Sequence, residues 1–270
     1  MMIVTSCPKA SKHPIELAHL EIVDLDELAR LIALILVGRK KHAEWILKGT
    51  PNGDPKPSKE TIGEAIGHLT CAQQTITDKY GNIQPHATVV HRDGWLLQII
   101  SWIVHRSQFP DALLRAPHSH AAGKGFDGLM LQMDGSTVTS IRLFEDKATD
   151  SPRDTVRDDV WPEFRIYEAG GRDGEMTAEA STLLELVPGL DVAELTSSSQ
   201  WFTLKQYCAT VATSTRSLPP LVEVFEGYEN AVVGAQDRRA AKLLLHDCLR
   251  TSFEDLAQRA ADYLRQMETS

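Results

Sequence analysis

The sequence predicts an α/β protein, with a central mixed sheet flanked by helices and an N-terminal helical addition. Two stretches rich in Leu, Ile, Val and Phe, residues 126–133 and 138–147, are separated by the turn sequence Asp-Gly-Ser and predict a β-hairpin. Residues 95–106 are too apolar for an exposed helix and predict a buried one. With 270 residues, of which 42% are hydrophobic, the chain is long enough to bury a sizeable core.

Periodicity and turn residues place the other elements. Apolar residues at helical spacing predict helices over residues 25–48 and 58–75, and Ser58 is a suitable N-cap for the second helix. Residues 86–91 predict a short strand before the apolar helix. The later elements predicted are a helix opened by Ser151 and Pro152, a helix over residues 176–187, strands over residues 201–211 and 221–225, and a C-terminal helix opened by Thr251.

A loop rich in Pro and Gly, residues 49–57, is the predicted internal boundary. It separates the N-terminal helical addition, residues 1–57, from an α/β domain over residues 58–270. A single continuous domain is also compatible with this length.

The composition indicates a cytoplasmic protein. Four scattered cysteines without Cys-x-x-Cys spacing indicate a reducing compartment. The N-terminus lacks the apolar core of a signal peptide, and the most apolar run, residues 31–37, is too short to span a membrane. The net charge of −9 disfavours unaided binding to nucleic acid, because such binding depends on neutralising phosphates. A nucleic-acid enzyme of this composition needs a local basic cluster or a partner that delivers the substrate.

The most specific chemical pattern is an acid at the start of the hairpin and Glu-x-Lys at its end. The acid is Asp127, and the tripeptide runs from Glu145 to Lys147. Side chains alternate faces along a strand, so a three-residue loop places all three functional groups on one face. A two-residue loop shifts the register by one and separates the two acids. The predicted site therefore requires an odd-length loop or a β-bulge.

These residue types suit a divalent metal. Carboxylate oxygens are good ligands for Mg²⁺, so Asp127 and Glu145 are candidate metal ligands. A bound Mg²⁺ or Mn²⁺ activates a water and polarises the phosphoryl oxygen of a phosphodiester. Lys147 is suited to orienting that water or to stabilising negative charge in the transition state. A solvated ion pair without function is the alternative interpretation of the same residues.

An Asp…Glu-x-Lys pattern on a β-hairpin that is followed by a helix resembles the PD-(D/E)xK nuclease superfamily. The resemblance is sharpest over residues 125–147, and Phe126 stands where the family pattern has proline. It implies a restriction-endonuclease-like core, a nuclease activity that depends on Mg²⁺ or Mn²⁺, and catalytic roles for Asp127, Glu145 and Lys147. A fainter similarity is to nuclease subunits of bacterial anti-phage systems of the Hachiman type, which act beside a helicase.

Four further residues complete the predicted site. Family members often add an acid from a preceding helix, and Glu64 is the best candidate for this role, with Glu60 or solvated glutamates without function as the alternatives. Lys124 lies in a small-residue loop just before the first acid and is a candidate contact for nucleic acid. Arg153 and Arg157 are four residues apart on the helix predicted after the hairpin, and are candidate contacts for a phosphate backbone. Ion pairs with neighbouring acids are the alternative interpretation of both arginines.

The predicted function is metal-dependent hydrolysis of nucleic-acid phosphodiester bonds, and DNA is the expected substrate. The resemblance adds anti-phage defence with a helicase or ATPase partner. The rival from another class is a non-catalytic module that binds protein or nucleic acid on the same scaffold. A histidine-based metallohydrolase around His118 and His120 is a weaker rival, because zinc sites need three or four ligands and the sequence suggests no third.

Overall fold

The computed structural model describes residues 2–6, 15–49, 57–70, 75–77, 83–85, 87–118, 125–197 and 201–269. In chain order the strands are β1 (Met2–Ser6), β2 (Glu16–Ile22), β3 (Thr75–Thr77), β4 (Ile83–Pro85), β5 (Leu113–Leu114), β6 (Gly128–Asp134), β7 (Thr137–Ala148), β8 (Lys205–Ser214) and β9 (Arg239–His246). The helices are α1 (Leu25–Leu36), α2 (Lys40–Leu47), α3 (Lys59–Leu69), α4 (Ala87–Gln108), α5 (Pro152–Thr155), α6 (Trp161–Glu168), α7 (Asp173–Leu184), α8 (Val192–Ser197), α9 (Leu221–Val224), α10 (Tyr228–Ala231) and α11 (Leu249–Thr269). A π-helical turn, Val156–Val160, joins α5 to α6, and short 3-10 turns cover Trp201–Leu204, Thr215–Ser217 and Gln236–Arg238.

Seven of the described strands form one mixed sheet in the order β1-β2-β9-β8-β7-β6-β5. The four central strands β2, β9, β8 and β7 are parallel, whereas β1, β6 and β5 are antiparallel to their neighbours. One apolar core contains residues of α1, α3, α4 and α11, and the other contains residues of α6, α7 and α10. The predicted α/β fold, with a mixed sheet flanked by helices, is confirmed.

The N-terminal region contributes strands as well as helices, which corrects the expectation of a purely helical addition. β2 pairs in parallel with β9, so segments on both sides of the predicted boundary belong to one sheet. The helix predicted over residues 25–48 is two helices, because the chain turns at Gly38, whose φ is +74°. Most of the predicted boundary loop, residues 50–56, lies outside the described residues.

The structure also has the predicted helix over residues 176–187, strand over residues 201–211 and C-terminal helix, as α7, β8 and α11, whereas two other predicted strands are wrong. The apolar helix lies within α4, and Ser58 is the N-cap of α3, where its side chain accepts a hydrogen bond from the Thr61 amide at 3.2 Å. The strand predicted over residues 86–91 is wrong, because residues 87–91 form the first turns of α4. The strand predicted over residues 221–225 is also wrong, because the chain begins the short helix α9 directly after Pro220.

Strand β9 is absent from the sequence-based expectation, although it lies in the middle of the sheet. Its sequence has no β-branched residue, and Arg239 and Lys242 interrupt its apolar pattern. Both cationic side chains are nevertheless buried, at 4% and 6% exposure. Tertiary packing therefore overrides a weak local propensity at this strand.

None of the described helices combines the length and the hydropathy that a membrane span requires.

A buried ion network fixes α4 to α11 and to the end of β7. Arg92 is 1% exposed, contacts the adjacent Asp93 at 2.8 Å and pairs with Glu254 of α11. Arg250, near the start of α11, donates to Asp93 at 2.6 Å and to the carbonyl of Ala148 at 3.4 Å. The network holds α4 against the end of β7 that carries the Glu-x-Lys tripeptide.

The β6–β7 hairpin combines a two-residue turn with a β-bulge. Asp134 pairs with Thr137, so the turn has two residues, and of the two predicted alternatives the structure has the β-bulge and not the odd-length loop. The register then shifts at Thr139, which is an extra residue of β7 without a partner in the β6 register. The bulge shifts the pairing by one residue and so places Asp127 and Glu145 on the same face, as the site requires.

The bulge leaves each side chain on its predicted face. Leu129 pairs with Leu143, whereas a three-residue loop without a bulge would pair it with Ile141, two residues away. Because two is the period of a strand, all three side chains still enter the core that contains α6 and α7. Met130 and Phe144 enter the opposite core.

We expect deletion of Thr139 to remove the bulge and to leave the other pairs of the hairpin in register. Deletion of Val138 shortens the chain by the same single residue, but moves Thr139 into a position that is 5% exposed. Burying a hydroxyl without a partner costs about 1–3 kcal/mol, so the second variant should be the less stable one by that amount. Urea unfolding measures both free energies. Equal losses, or a Thr139 deletion that does not fold, would contradict the role given to the bulge.

Candidate functional site

The hairpin register brings Asp127, Glu145 and Lys147 together at the end of β7. The Lys147 Nζ atom lies 3.0 Å from Glu145 Oε2 and 3.8 Å from Asp127 Oδ2. The side chain of Glu145 is 5% exposed and that of Lys147 is 29% exposed, so the ammonium group is closer to solvent than the acid. We call these three residues the Asp-Glu-Lys cluster.

Each carboxylate oxygen of Asp127 has its own hydrogen-bond donor. The side-chain Nε2 of Gln98, on α4, donates to Oδ1 at 2.6 Å. The backbone amide of Asp146 donates to Oδ2 at 2.7 Å. These two donors fix the plane of the carboxylate beside Lys147.

Glu145 is fixed from the opposite layer of helices. The hydroxyl of Tyr167, on α6, donates to Glu145 Oε1 at 3.2 Å, while Lys147 occupies Oε2. Burial and the Glu145 carboxylate both raise the pKa of Tyr167 above its ordinary value. The phenol therefore remains a donor across the physiological pH range.

The carboxylates of this site outnumber its nearby cations. Burial and the adjacent Asp127 raise the pKa of Glu145 to about 7, although Lys147 acts in the opposite direction. Burial and Asp127 likewise raise the pKa of Asp146 well above its ordinary value. Burial lowers the pKa of Lys147, but Glu145 and Asp127 outweigh that effect and raise it. The site therefore favours binding of a proton or another positive charge.

Asp146 lies on the opposite face of β7 from Glu145, against α4. The hydroxyls of Thr210 and Ser101 lie near its carboxyl and partly offset the effect of burial on its pKa. Its Oδ1 atom is shielded from solvent and has no hydrogen-bond partner among the described residues. The same is true of Gln98 Oε1, and both residues line one small cavity of about 10 Å³ together with Asp127.

Glu64 is not brought to the cluster, which corrects its assignment as a catalytic acid. It is exposed on α3, a helix that contacts α11, and the described residues give it no contact with Asp127, Glu145 or Lys147. The residue from a preceding helix that reaches Asp127 is Gln98 instead. A single amide within the apolar run Leu-Leu-Gln-Ile-Ile was the sequence signal that could have identified it.

The candidate contacts for nucleic acid are engaged with acids or lie outside the described residues. Arg157 pairs with Asp154 at 2.9 Å and Asp158 at 2.6 Å, as the ion-pair interpretation predicts. Arg153 donates to the backbone carbonyl of Glu226 at 2.8 Å. Lys124 lies outside the described residues.

The histidine-based alternative gains no third ligand from the described part of the chain. The Nε2 atom of His118 lies 3.0 Å from Arg115 Nη2, and His120 is outside the described residues. Among the described residues, no three side chains of His, Cys, Asp or Glu form a metal-binding group. A cation at the Asp-Glu-Lys cluster would therefore need an oxygen ligand of another kind beside its two acids.

The donor set nevertheless fits a hard divalent cation. Two carboxylates, Asp127 and Glu145, are within reach of one ammonium group, and carboxylate and amide oxygens are the ligands that Mg²⁺ and Mn²⁺ prefer. Gln98 and Asp146, which each have an unpartnered acceptor, line a cavity together with Asp127 on the side of α4.

Comparison of the chain with models of protein families, with curated proteins and with solved structures found no match.

We expect Glu145 to make the stability of the metal-free protein fall as pH rises. The folded-state pKa of about 7 lies above the ordinary 4.5, so the unfolded chain loses this proton first. The free energy of unfolding should therefore decrease between about pH 4.5 and 7 and then level off. The total decrease should be up to about 3 kcal/mol, because a shift of one pKa unit corresponds to about 1.4 kcal/mol.

The Glu145→Gln variant removes this titration and should be more stable than the wild type at pH 8.5, with the difference vanishing below about pH 4.5. Chemical unfolding at a series of pH values, in the presence of a chelator, measures it. Glu21→Gln, at an exposed position in β2, is the matched control. A difference between wild type and Glu145→Gln that does not change with pH would contradict the raised pKa.

Proposed function

We propose that the protein is a metal-dependent nuclease that hydrolyses phosphodiester bonds, with DNA as its substrate. The observation that carries the proposal is the convergence of Asp127, Glu145 and Lys147 at one end of a buried hairpin. These are the three residues to which the PD-(D/E)xK resemblance gives catalytic roles. The mixed sheet flanked by helices is compatible with a restriction-endonuclease-like core.

Asp127 and Glu145 would hold the cation, Mg²⁺ or Mn²⁺. Such a cation neutralises charge on the phosphoryl group and lowers the pKa of a water. Asp127 is suited to this role because the Asp146 amide already fixes its orientation. Glu145 is held in the same way by the Tyr167 hydroxyl.

The charge and exposure of Lys147 favour an electrostatic role for this residue over that of a general base. Its pKa in the free protein is raised by Glu145 and Asp127, so the side chain is cationic near neutral pH. Its partial exposure allows contact with an incoming phosphate. An ammonium group there would orient the attacking water and stabilise the negative charge that develops on the phosphoryl oxygens.

The charge distribution supports a partner that presents the substrate. The chain carries a net charge of −9, and Arg157 is engaged with two aspartates beside it. Arg153 and Arg216 line an open groove of about 400 Å³, but Asp150 and Asp154 line it too. We therefore include a helicase or ATPase that delivers a nucleic-acid strand, in anti-phage defence, as part of the proposal.

The proposal predicts cleavage of DNA that requires a divalent cation and the cluster. Purified wild type should cut linear, circular or single-stranded DNA in the presence of Mg²⁺ or Mn²⁺. Glu145→Gln and Lys147→Met should each lower the rate by about 100-fold or more, because the first removes a charged ligand of the cation and the second removes the positive charge that faces the phosphate. Glu64→Gln is the matched control and should retain wild-type activity, since Glu64 is exposed away from the cluster.

The outcome separates the nuclease from its rivals when Mn²⁺ binding is measured in the same samples. In one outcome the wild type binds Mn²⁺ but does not cleave DNA, and Glu145→Gln abolishes the binding. This outcome would indicate that a partner must deliver the substrate. Absence of both binding and cleavage would sink the nuclease proposal and leave the non-catalytic module, in which Lys147 and the two acids form a structural ion pair. Zn²⁺ binding that His118→Ala abolishes would favour the histidine-based metallohydrolase.

A further inference from the structure

Gln98 carries an unsatisfied hydrogen-bond acceptor beside the Asp-Glu-Lys cluster. Its Nε2 atom donates to Asp127 Oδ1 at 2.6 Å, which leaves its Oε1 atom on the side of the small cavity. That oxygen is shielded from solvent and has no hydrogen-bond partner among the described residues. Asp146 lines the same cavity and is 5% exposed, and its Oδ1 atom is likewise shielded from solvent and without a hydrogen-bond partner among the described residues. Two buried acceptors therefore share one cavity of about 10 Å³.

A buried acceptor without a donor costs about 1–3 kcal/mol, so when Asp146 is ionised this arrangement of the Gln98 amide is unfavourable on its cavity side. A half-turn about the last side-chain torsion of Gln98 exchanges its nitrogen and its oxygen. The amide nitrogen would then face the cavity and could donate to Asp146 Oδ1. The amide oxygen would face Asp127 Oδ1, which is repulsive unless a cation lies between the two oxygens.

The preferred orientation of the Gln98 amide thus depends on whether a cation lies beside Asp127. We propose that Gln98 is a ligand of the divalent cation, through its side-chain oxygen, and that its amide group turns to Asp146 when the cation binds. The inference rests on the proposed function, because it concerns the same cation. Gln98 supplies the additional oxygen that the two acids lack, and an amide oxygen is a suitable ligand for Mg²⁺ or Mn²⁺.

The position of Gln98 on α4 suits this role. Its helix neighbours Leu97 and Ile99 are fully buried, and the Arg92 network fixes the same helix to α11. The backbone of Gln98 is therefore held in place, and the change requires rotation of the amide group alone. A ligand on a fixed helix loses little conformational freedom when the cation binds.

Calorimetric titration of the 270-residue chain with Mn²⁺ at pH 8.5 tests the inference without reference to activity. Gln98→Met keeps the length of the side chain and removes both polar atoms, so Mn²⁺ affinity should fall by about 10–100-fold. Gln98→Glu cannot donate to Asp127 but offers a carboxylate oxygen to the cation, so its affinity should equal or exceed that of wild type. Gln258→Met, at an exposed position of α11, is the matched control. Thermal unfolding of each variant establishes that it is folded.

The contrast between the two substitutions distinguishes a ligand from a hydrogen-bond donor. If Gln98→Glu weakens Mn²⁺ binding as much as Gln98→Met, Gln98 only donates to Asp127 and the inference is wrong. Wild-type affinity in both variants would also overturn it. Failure of the wild type itself to bind Mn²⁺ would refute the proposed cation site and this inference with it, whereas the first two results leave that site intact.

A second readout follows the amide group directly. The side-chain NH₂ resonances of Gln98, assigned by their loss in Gln98→Glu, should shift on addition of diamagnetic Mg²⁺, because their acceptor changes from Asp127 to Asp146. Resonances that stay unshifted at saturating Mg²⁺ would show that the amide does not turn.

Discussion

The register of the β6–β7 hairpin determines whether its two acids can act together. A two-residue turn alone would place Asp127 and Glu145 on opposite faces of the sheet, and the extra residue Thr139 reverses that outcome. The same register places Leu129 and Leu143 in the core that contains α6 and α7. Burial of the apolar residues therefore stabilises the arrangement that brings the acids together, and the site depends on the packing of the whole hairpin.

Charge is the second constraint, because the hairpin carries its acids into a site of low exposure. Glu145 is 5% exposed and lies between Lys147 on one oxygen and Tyr167 on the other. Its pKa of about 7 shows that Lys147 does not fully compensate for burial and for Asp127. A divalent cation would complete that compensation, and it would also lower the pKa of Glu145. Metal affinity and pH are therefore linked in the proposed function, since the cation competes with the proton for the same carboxylate.

The sequence predicted the Asp-Glu-Lys cluster because its members lie within one hairpin, where strand alternation relates them directly. Gln98 and Tyr167 reach the cluster from helices 29 and 22 residues away in the chain, and their contacts depend on packing that local patterns do not encode. The catalytic role given to Glu64 of α3 was wrong for the same reason, because the helix that reaches Asp127 is α4. Strand β9 was missed because Arg239 and Lys242 hide its apolar character, and their burial became evident only in the folded chain. The general architecture was predictable, since long apolar and amphipathic segments report burial more strongly than single polar residues do.

The central claim is that Asp127 and Glu145 bind a divalent cation, and the most direct test is a crystal structure of the protein grown with Mn²⁺ at pH 8.5. Mn²⁺ scatters anomalously, so its position can be assigned without reference to an expected geometry. We expect an anomalous peak at about 2.0–2.4 Å from a carboxylate oxygen of each acid, the range of oxygen ligands to such cations. A structure at saturating Mn²⁺ with no peak at this position, and with Lys147 still bridging the two acids, would contradict the claim.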